Sequence, residues 1–414
     1  MSTPARPPRA AADRPRSRPV RLRVRYRLTP WWVKVLVVFV LSRAVSTALL
    51  LWFAAHQLDV PGWVSAAPGY AEYANIWDGQ WYWRIATYGY PSDLPTDASG
   101  HITENAWAFM PAYPFLVEAL STVTRVPWTV MSFVVSLLFG AGTVLLFHRL
   151  LAPMIGGGSA LFAVVLYCSA PVSPLLQVGY AESMQAFFLT LALLLLVRRR
   201  YGWLFPVIAV LALTRPTGLA FALAVGLYWL YRMWRRRSDP FPPREVVTVG
   251  AVAVFSGLMG LLWPALAWIA TGIPDAYVQT ELAWRAGYIG RVHLVPFQAW
   301  FQGADWWLGG SPLAPVLVVA LVVLFALCFL LPPVRRLGIE LRLWAASYGL
   351  YLLAVFFPQS STFRLLMPMF PLLGAAAVPR NAVYRVGLVV LGVVGQWFWL
   401  WIAWSFQGLD WTPP

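Results

Sequence analysis

Long apolar runs separated by short polar breaks follow one another along almost the whole chain. A helix needs about 20 mostly apolar residues to cross roughly 30 Å of hydrocarbon, and the pattern offers many such runs. It predicts crossings near 31 to 53, 129 to 150, 158 to 177, 183 to 197, 203 to 214, 217 to 231, 246 to 271, 312 to 331, 341 to 358, 363 to 378 and 386 to 406. Composition agrees, because 60% of the 414 residues are hydrophobic and 11% are charged. The sequence therefore predicts an all-α polytopic membrane protein with about 11 transmembrane helices.

The net charge of +15 comes from basic residues that are almost all Arg and lie mostly in short clusters between apolar runs. Such clusters mark cytoplasmic turns of a membrane protein, so we expect no nucleic-acid partner. The threading that satisfies them places the N-terminus in the cytoplasm and the C-terminus outside. Twelve of the 16 Asp and Glu then fall on the outer side. We therefore expect a multi-pass protein of the plasma membrane whose chemistry faces outward.

Residues 1 to 30 are rich in Pro, Ala and Arg, which predicts a disordered basic tail in the cytoplasm near anionic lipids. Residues 31 to 414 then form a single integral membrane domain, which begins with an uncleaved anchor. Its two large external loops are expected at 54 to 128 and 272 to 311. Between the Arg clusters that flank 203 to 231, only two short helices fit, which places Arg215 at a buried turn.

Several common sites are missing from the sequence pattern. The four His residues are scattered, without an HExxH motif or a paired His and carboxylate spacing, so no metal is expected. Neither GxxxxGK[ST] nor a strand followed by GxGxxG is present. We accordingly expect no bound cofactor.

The most unusual stretch is WDGQWYWRIATYGYP, residues 77 to 91, in the first external loop. The spacing predicts a short interfacial helix over about 71 to 87, with Asp78 and Tyr82 on one face. One interpretation is an aromatic belt, in which Trp and Tyr anchor the helix and Asp78 is a solvated carboxylate. The other is a site built around Asp78.

Neighbouring segments favour a site. WAFMPAYP at 107 to 114 breaks a helix at membrane level, which is tolerated where protein or a water-filled cavity covers the backbone. GYAES at 179 to 183, LTRPTG at 213 to 218 and QSSTFRLLMP at 359 to 368 each place a charge at the outer or buried end of a helix. Such charges cost roughly 2.5 to 3.5 kcal/mol at mid-bilayer, so they mark pathways or ligand sites.

In WDGQWYWRIATYGYP, in AFMPAYP and in the order of its spans, the chain resembles the PIG-V-type mannosyltransferases, and its almost Lys-free composition is typical of a bacterial, actinobacterial-type member. The shorter YAES, TRPTG and TFR motifs add to the resemblance, whereas the Arg-rich tail departs from it. The resemblance implies a GT-C fold with a catalytic first loop. It also implies an inverting, metal-independent transferase that takes mannose from a polyprenyl-phosphate carrier at the outer face, with the first-loop Asp as base.

The same chemistry can be argued from the residues. Transfer from a sugar phosphate lipid needs a base for the acceptor hydroxyl and a cation for the departing phosphate. Asp78 is the expected base, with Glu104 and Glu182 as candidate second carboxylates. Arg364 is the first candidate for the phosphate and Arg215 the second, because Arg matches phosphate geometry. A structural ion pair is an alternative for Glu104, Glu182, Arg364 and Arg215. Either Arg could instead snorkel to the interface.

Aromatic rings supply candidates for binding the sugar or the lipid: Trp77, Trp81, Tyr82 and Trp107. An interface anchor is an equal alternative for each, given 24 Trp in the chain. The expected partners are a polyprenyl-phosphate sugar, a glycolipid or glycan acceptor, and membrane lipids. A transferase that uses another polyprenyl-phosphate sugar, a lipid or glycolipid flippase or transporter, and a scaffold protein remain alternatives, since nothing in the sequence reads the hydroxyl pattern of mannose.

Overall fold

The computed structural model describes residues 28 to 406, so most of the basic tail lies outside the described residues. Within this range the regular structure is helical, and strand pairing is limited to two isolated bridges, between Val60 and Val64 and between Thr96 and Ile102. The predicted all-α fold class is confirmed.

The helices follow the apolar runs. The α-helices are Trp31–Ala55, Tyr70–Tyr73, Asp78–Tyr88, Ala112–Thr124, Trp128–Ile155, Gly157–Ser169, Glu182–Val197, Leu204–Ala212, Gly218–Arg235, Pro243–Thr271, Ala276–Ala283, Ala286–Ile289, Ala299–Trp307, Leu313–Cys328, Pro332–Arg335, Gly338–Val355, Thr362–Leu365, Leu373–Ala376 and Ala382–Trp399. Short 3₁₀ turns cover Ala106–Ala108, Ser173–Gln177, Tyr201–Trp203 and Met367–Leu372, and a π-helical turn covers Leu400–Trp404.

Four helices in the described part of the chain are long and apolar enough to cross a membrane, judged by length and composition. They are Trp31–Ala55, Trp128–Ile155, Pro243–Thr271 and Ala382–Trp404. Shorter apolar helices lie between them. The chain is thus a helical membrane protein, whereas the number of crossings and their orientation stay predictions.

Arg215 lies where the sequence places it. Helix Leu204–Ala212 ends just before it and helix Gly218–Arg235 begins just after it, and Arg215 is buried in the turn. The turn packs tightly on helix Pro243–Thr271, since the Ser256 hydroxyl donates to the Gly218 carbonyl at 2.8 Å. A Cβ added at Gly218 would lie 2.6 Å from the Gly260 Cα, so the two backbones approach as closely as glycine allows.

Two predicted regular helices are wrong in their extent because proline interrupts them. The run 363 to 378 is divided into Thr362–Leu365, a 3₁₀ turn and Leu373–Ala376, with Pro368 and Pro371 inside the turn. The run 158 to 177 is helical only to Ser169, and a 3₁₀ turn follows.

The predicted interfacial helix over 71 to 87 is also wrong, because it is broken before the carboxylate. Tyr70–Tyr73 forms one turn, and a second helix, Asp78–Tyr88, begins at Asp78 itself. Trp77 lies between them with φ +59° and ψ −120°, a conformation that is strained for a residue with a side chain. Asp78 therefore occupies a helix N-terminus rather than the middle of a helix.

Candidate active site

Two carboxylates and two guanidinium groups from four separate segments meet in one cluster, which we call the Asp78 cluster: Asp78, Glu182, Arg215 and Arg364. Arg215 Nη2 lies 3.2 Å from Asp78 Oδ2 and 2.5 Å from Glu182 Oε1. Arg364 Nη1 donates to the same Asp78 oxygen, and its Nε lies 3.6 Å from Glu182 Oε1. All four residues are buried, with exposed fractions between 3% and 9%.

Long-range contacts hold Asp78 at its helix start. Its backbone N–H donates to the Tyr180 hydroxyl at 3.1 Å. The preceding Trp77 donates from its indole nitrogen to the Trp404 carbonyl at 2.7 Å and stacks on Phe406 with 3.9 Å between ring centroids. These contacts fix the strained backbone of Trp77. A carboxylate in the first turn of a helix is also favoured by the helix dipole.

Glu182 begins helix Glu182–Val197, directly after the GYAES turn. The Gly179 N–H of this turn donates to the Ala74 carbonyl at 2.8 Å. A Cβ added at Gly179 would lie 2.0 Å from the Asn75 amide oxygen, so the turn requires glycine to approach the first loop. Asn75 is held in turn by the Ser132 hydroxyl, which donates to it at 2.6 Å. The close approach places Glu182 beside the helix that begins at Asp78.

Aromatic rings line the two arginines. The Arg215 guanidinium lies 6.0 Å from the centroid of Tyr82, and that of Arg364 lies 5.5 Å from the centroid of Tyr180. Both distances are in the range of a cation–π contact. Tyr82 is fully buried, and burial raises the pKa of its hydroxyl well above 10, so the hydroxyl stays protonated.

The Asp78 cluster retains unused hydrogen-bonding capacity. Its formal charges cancel, yet Glu182 Oε2, Arg215 Nε and Arg364 Nε are buried without a hydrogen-bond partner among the described residues. The Tyr82 hydroxyl is in the same state. Buried polar atoms in native proteins are usually satisfied by protein or ordered water, so a concentration of unsatisfied ones indicates room for bound water or a ligand.

Other residues proposed from the sequence lie elsewhere. Glu104 is exposed and makes no ion pair with the Asp78 cluster. Trp107 is buried in a different part of the core, where its indole donates to the Pro91 carbonyl at 2.9 Å and its ring packs 5.0 Å from Trp263. Trp81 is half-buried and stacks on Phe109 at 5.7 Å. Of the four aromatic candidates, Tyr82 and Trp77 adjoin the Asp78 cluster.

Sequence reasoning missed a third carboxylate, Glu281, in the segment predicted to form the second external loop. It lies on helix Ala276–Ala283, one turn after Tyr277 and close enough to Asp78 and Arg215 to interact electrostatically with both. The available signal was the spacing of Glu281 and Arg285, four residues apart in TELAWRAGYIG.

No group of three or more His, Cys, Asp or Glu residues suited to a metal ion occurs in residues 28 to 406. A metal-independent reaction stays an expectation.

The fold and this cluster define a helical membrane protein with a buried ionic site. No family model matches the chain, and no curated protein matches it in sequence. Among solved structures, ArnT from Cupriavidus metallidurans bound to undecaprenyl phosphate is similar at 14% identity and a TM-score of 0.46, over 85% of this chain and 62% of that one. The Archaeoglobus fulgidus oligosaccharyltransferase tethered with an acceptor peptide is similar at 12% identity and a TM-score of 0.42, over 87% of this chain and 53% of that one.

A second structure of the Archaeoglobus fulgidus protein, AglB in complex with an inhibitory peptide and a dolichol-phosphate, is similar at 14% identity and a TM-score of 0.42, over 89% of this chain and 55% of that one. These neighbours have the GT-C fold, and the likeness is a distant one of overall helical arrangement. This chain covers between 53% and 62% of the length of each of these three chains.

Proposed function

We propose that the chain is a glycosyltransferase that takes a sugar from a polyprenyl-phosphate donor and transfers it to a glycolipid or glycan acceptor at the outer face of the membrane. The observation that carries the proposal is the Asp78 cluster, in which two arginines and a candidate base share a buried site with unused hydrogen-bonding atoms. The resemblance of the WDGQWYWRIATYGYP stretch to PIG-V-type enzymes supports mannose as the sugar.

The reaction proceeds in one displacement. The acceptor oxygen attacks C1 of the sugar, and the bond between C1 and the phosphate oxygen breaks with its electron pair on the phosphate. The acceptor proton passes to Asp78, and the polyprenyl phosphate leaves with one more negative charge than it had in the donor. Attack opposite the leaving group inverts the configuration at C1.

The charges of the Asp78 cluster suit this step. Two arginines and two carboxylates sum to zero, so the bound donor phosphodiester brings the site to a net charge of −1. The departing phosphate gains a second negative charge as Asp78 takes up the acceptor proton, so the net charge stays at −1. Arg215 and Arg364 thus act on charge that develops in the transition state, which is where electrostatic stabilisation speeds a reaction.

Both guanidinium contacts fall on one oxygen of Asp78, Oδ2. A donor phosphate competes with this oxygen for the same two arginines. Donor binding therefore releases Asp78 from its ion pairs at the moment when a base is needed. Glu182 keeps Arg215 in place during the exchange, because Nη2 carries two hydrogens and still donates to Glu182 Oε1 at 2.5 Å when the bond to Asp78 is broken.

The proposal is tested by transfer of labelled mannose from polyprenyl-phosphate mannose to an extract of the host's glycolipids, with the full chain reconstituted in vesicles. Asp78→Asn should fold normally and lose about 10² to 10⁴ in rate, the usual loss for a general base. Asp93→Asn, an exposed carboxylate in the same loop, is the matched control and should transfer at the wild-type rate.

Three outcomes separate the alternatives. Transfer by wild type and not by Asp78→Asn supports both the donor class and the base. Equal transfer by both rejects Asp78 as the base. Absence of transfer with mannose and with several other lipid-linked sugars rejects the transferase and favours a flippase.

A further inference from the structure

The second external loop brings a polar group to the Asp78 cluster. Helix Ala276–Ala283 is attached to the first loop by Asn105, whose amide donates to the Thr280 hydroxyl at 2.9 Å. Trp284, just beyond the helix, packs edge-on against Trp81 with 5.9 Å between ring centroids. These contacts hold one face of the helix against the segment that carries Asp78.

A later segment fixes the same loop from the other side. The Arg285 guanidinium donates to the Val355 carbonyl at 3.0 Å and lies 5.9 Å from the ring centroid of Phe357. Val355 ends a helix seven residues before the short helix that carries Arg364. The loop helix is therefore positioned against both halves of the Asp78 cluster.

Three half-buried protic side chains lie at this junction: Tyr277, Glu281 and Tyr351. Tyr277 and Glu281 lie one turn apart on helix Ala276–Ala283, and both interact electrostatically with Arg215. Tyr351 interacts electrostatically with each of them. Glu281 has no ion pair closer than 4 Å within the described residues, unlike Asp78 and Glu182. No arginine in the described part of the chain engages its carboxylate oxygens, so they are available to accept hydrogen bonds from a bound ligand.

Resting on the proposed function, we propose that Glu281, with Tyr277 and Tyr351, binds hydroxyl groups of a sugar ring beside the reacting phosphate. A carboxylate accepts hydrogen bonds from neighbouring hydroxyls, and tyrosine hydroxyls both donate and accept. The ring attached to a phosphate held by Arg215 lies within reach of this group, and so does the ring of an acceptor glycan. The shared chemistry is a sugar hydroxyl, and its two sources are distinguished by binding.

Protonation gives a second readout. Burial raises the pKa of Glu281 above its usual 4.5, while Tyr277 and Arg285 oppose the shift. The carboxylate form accepts hydrogen bonds on both oxygens, so recognition is complete above this raised pKa and is lost as pH falls through it. Glu281→Gln removes the titration.

The experiment measures the affinity of the full chain, in vesicles, for polyprenyl phosphate with and without mannose, and the KM for the acceptor extract. If the donor sugar is bound, Glu281→Gln weakens the mannose-bearing lipid about tenfold and leaves the sugar-free lipid unchanged. If the acceptor is bound, both lipids keep their affinity and the acceptor KM rises about tenfold. In either case the constant that Glu281→Gln alters should change with pH in wild type, as Glu281 titrates, and should not change with pH in the variant.

Controls keep the result specific. Asp275→Asn changes an exposed carboxylate at the start of the same helix and should alter none of these constants. Tyr277→Phe removes one hydroxyl and should weaken the same constant by a smaller factor, which keeps the test available if Glu281→Gln fails to fold. Unchanged constants in both variants overturn the subsite alone, whereas a wild type that binds neither lipid overturns the proposed function with it.

Discussion

Two clusters built around buried arginines lie at opposite ends of helix Gly218–Arg235. They differ in the partners that satisfy the charges and hydrogen-bonding groups of these arginines. The Asp78 cluster adjoins the start of the helix. The other, the Arg232 cluster, consists of Arg199, Tyr201, Tyr228, Arg232, Asp239 and Glu245. Gly218 and Arg232 are 14 positions apart, which corresponds to about 21 Å along the helix.

Arg232 is surrounded by partners close in sequence. Its Nη1 donates to the hydroxyls of Tyr201 and Tyr228 at 3.0 and 3.1 Å, and its Nη2 donates to the Pro240 carbonyl at 2.8 Å and to Glu245 at 3.3 Å. The carboxylates of this cluster stay about one-third exposed. Neutral hydroxyls and a carbonyl thus solvate the buried cation, and water reaches the anions.

The Asp78 cluster is built in the opposite way. Its members come from four distant segments and both carboxylates are buried. Both Arg Nε atoms and one Glu182 oxygen have no hydrogen-bond partner among the described residues. In the part of the chain that the structure describes, Arg232 Nε is the one such atom of the Arg232 cluster, and it still lies 3.2 Å from Asp239 Oδ2. Buried ion pairs of this kind contribute little net stability because desolvation offsets their attraction. The comparison supports a structural role for the Arg232 cluster and the proposed ligand site at the Asp78 cluster.

Arg232→Ala should have the largest effect and should distinguish the roles of the two clusters most clearly. Loss of its hydrogen bonds and of its packed side chain should lower the free energy of unfolding by roughly 2 to 5 kcal/mol. Thermal unfolding in detergent measures this loss. Donor affinity of the folded fraction should not change, and a selective loss of donor affinity would contradict a structural role.

Arg364→Ala should do the reverse. Loss of one phosphate contact should weaken binding of the lipid phosphate by about 2 kcal/mol, or roughly 30-fold. The affinity for sugar-free polyprenyl phosphate measures this loss. Arg364→Lys keeps the charge without the planar fork and should fall between wild type and Ala. Normal affinity in the Ala variant would reject the phosphate role.

Much of the helical layout followed from hydrophobic pattern and Arg position. The buried turn at Arg215 is the clearest example, because two flanking Arg clusters and 29 residues allowed only two short helices. The helix predicted over 363 to 378 is wrong in extent, because an apolar run predicts a crossing but not a continuous helix, and Pro368 and Pro371 divide it.

The parts of the site that escaped prediction depend on distant contacts. The run around Trp77 has helical spacing and no proline, and its break is fixed by the Trp404 carbonyl, 327 residues away. Glu104 is nearer to Asp78 in sequence than Glu281 is, but it is exposed, whereas a docked loop brings Glu281 to the cluster. Local pattern does not encode such docking.

Glu182→Gln sharpens the comparison within the Asp78 cluster. The amide keeps the volume and one acceptor but loses the charge that holds Arg215 Nη2 at 2.5 Å. A misplaced Arg215 should raise the activation barrier by about 1 to 2 kcal/mol, which lowers the transfer rate roughly 5- to 30-fold. Donor affinity should change less than the rate, since Arg364 still binds the phosphate. An equal loss in both would assign Glu182 to binding rather than to positioning.

The smallest effect is expected at the edge of the Arg232 cluster. Arg199 Nη2 contacts both oxygens of Asp239 at 2.8 and 2.9 Å, but its side chain is 45% exposed. Exposed ion pairs contribute about 0 to 1 kcal/mol, so Arg199→Ala should barely alter unfolding and should leave transfer unchanged. Repeating the melt at high salt tests the reason, because screening should remove the remaining difference from wild type. A loss as large as that of Arg232→Ala would show that Asp239 depends on Arg199 to hold Arg232 in place, and the Arg232 cluster would then be one cooperative unit.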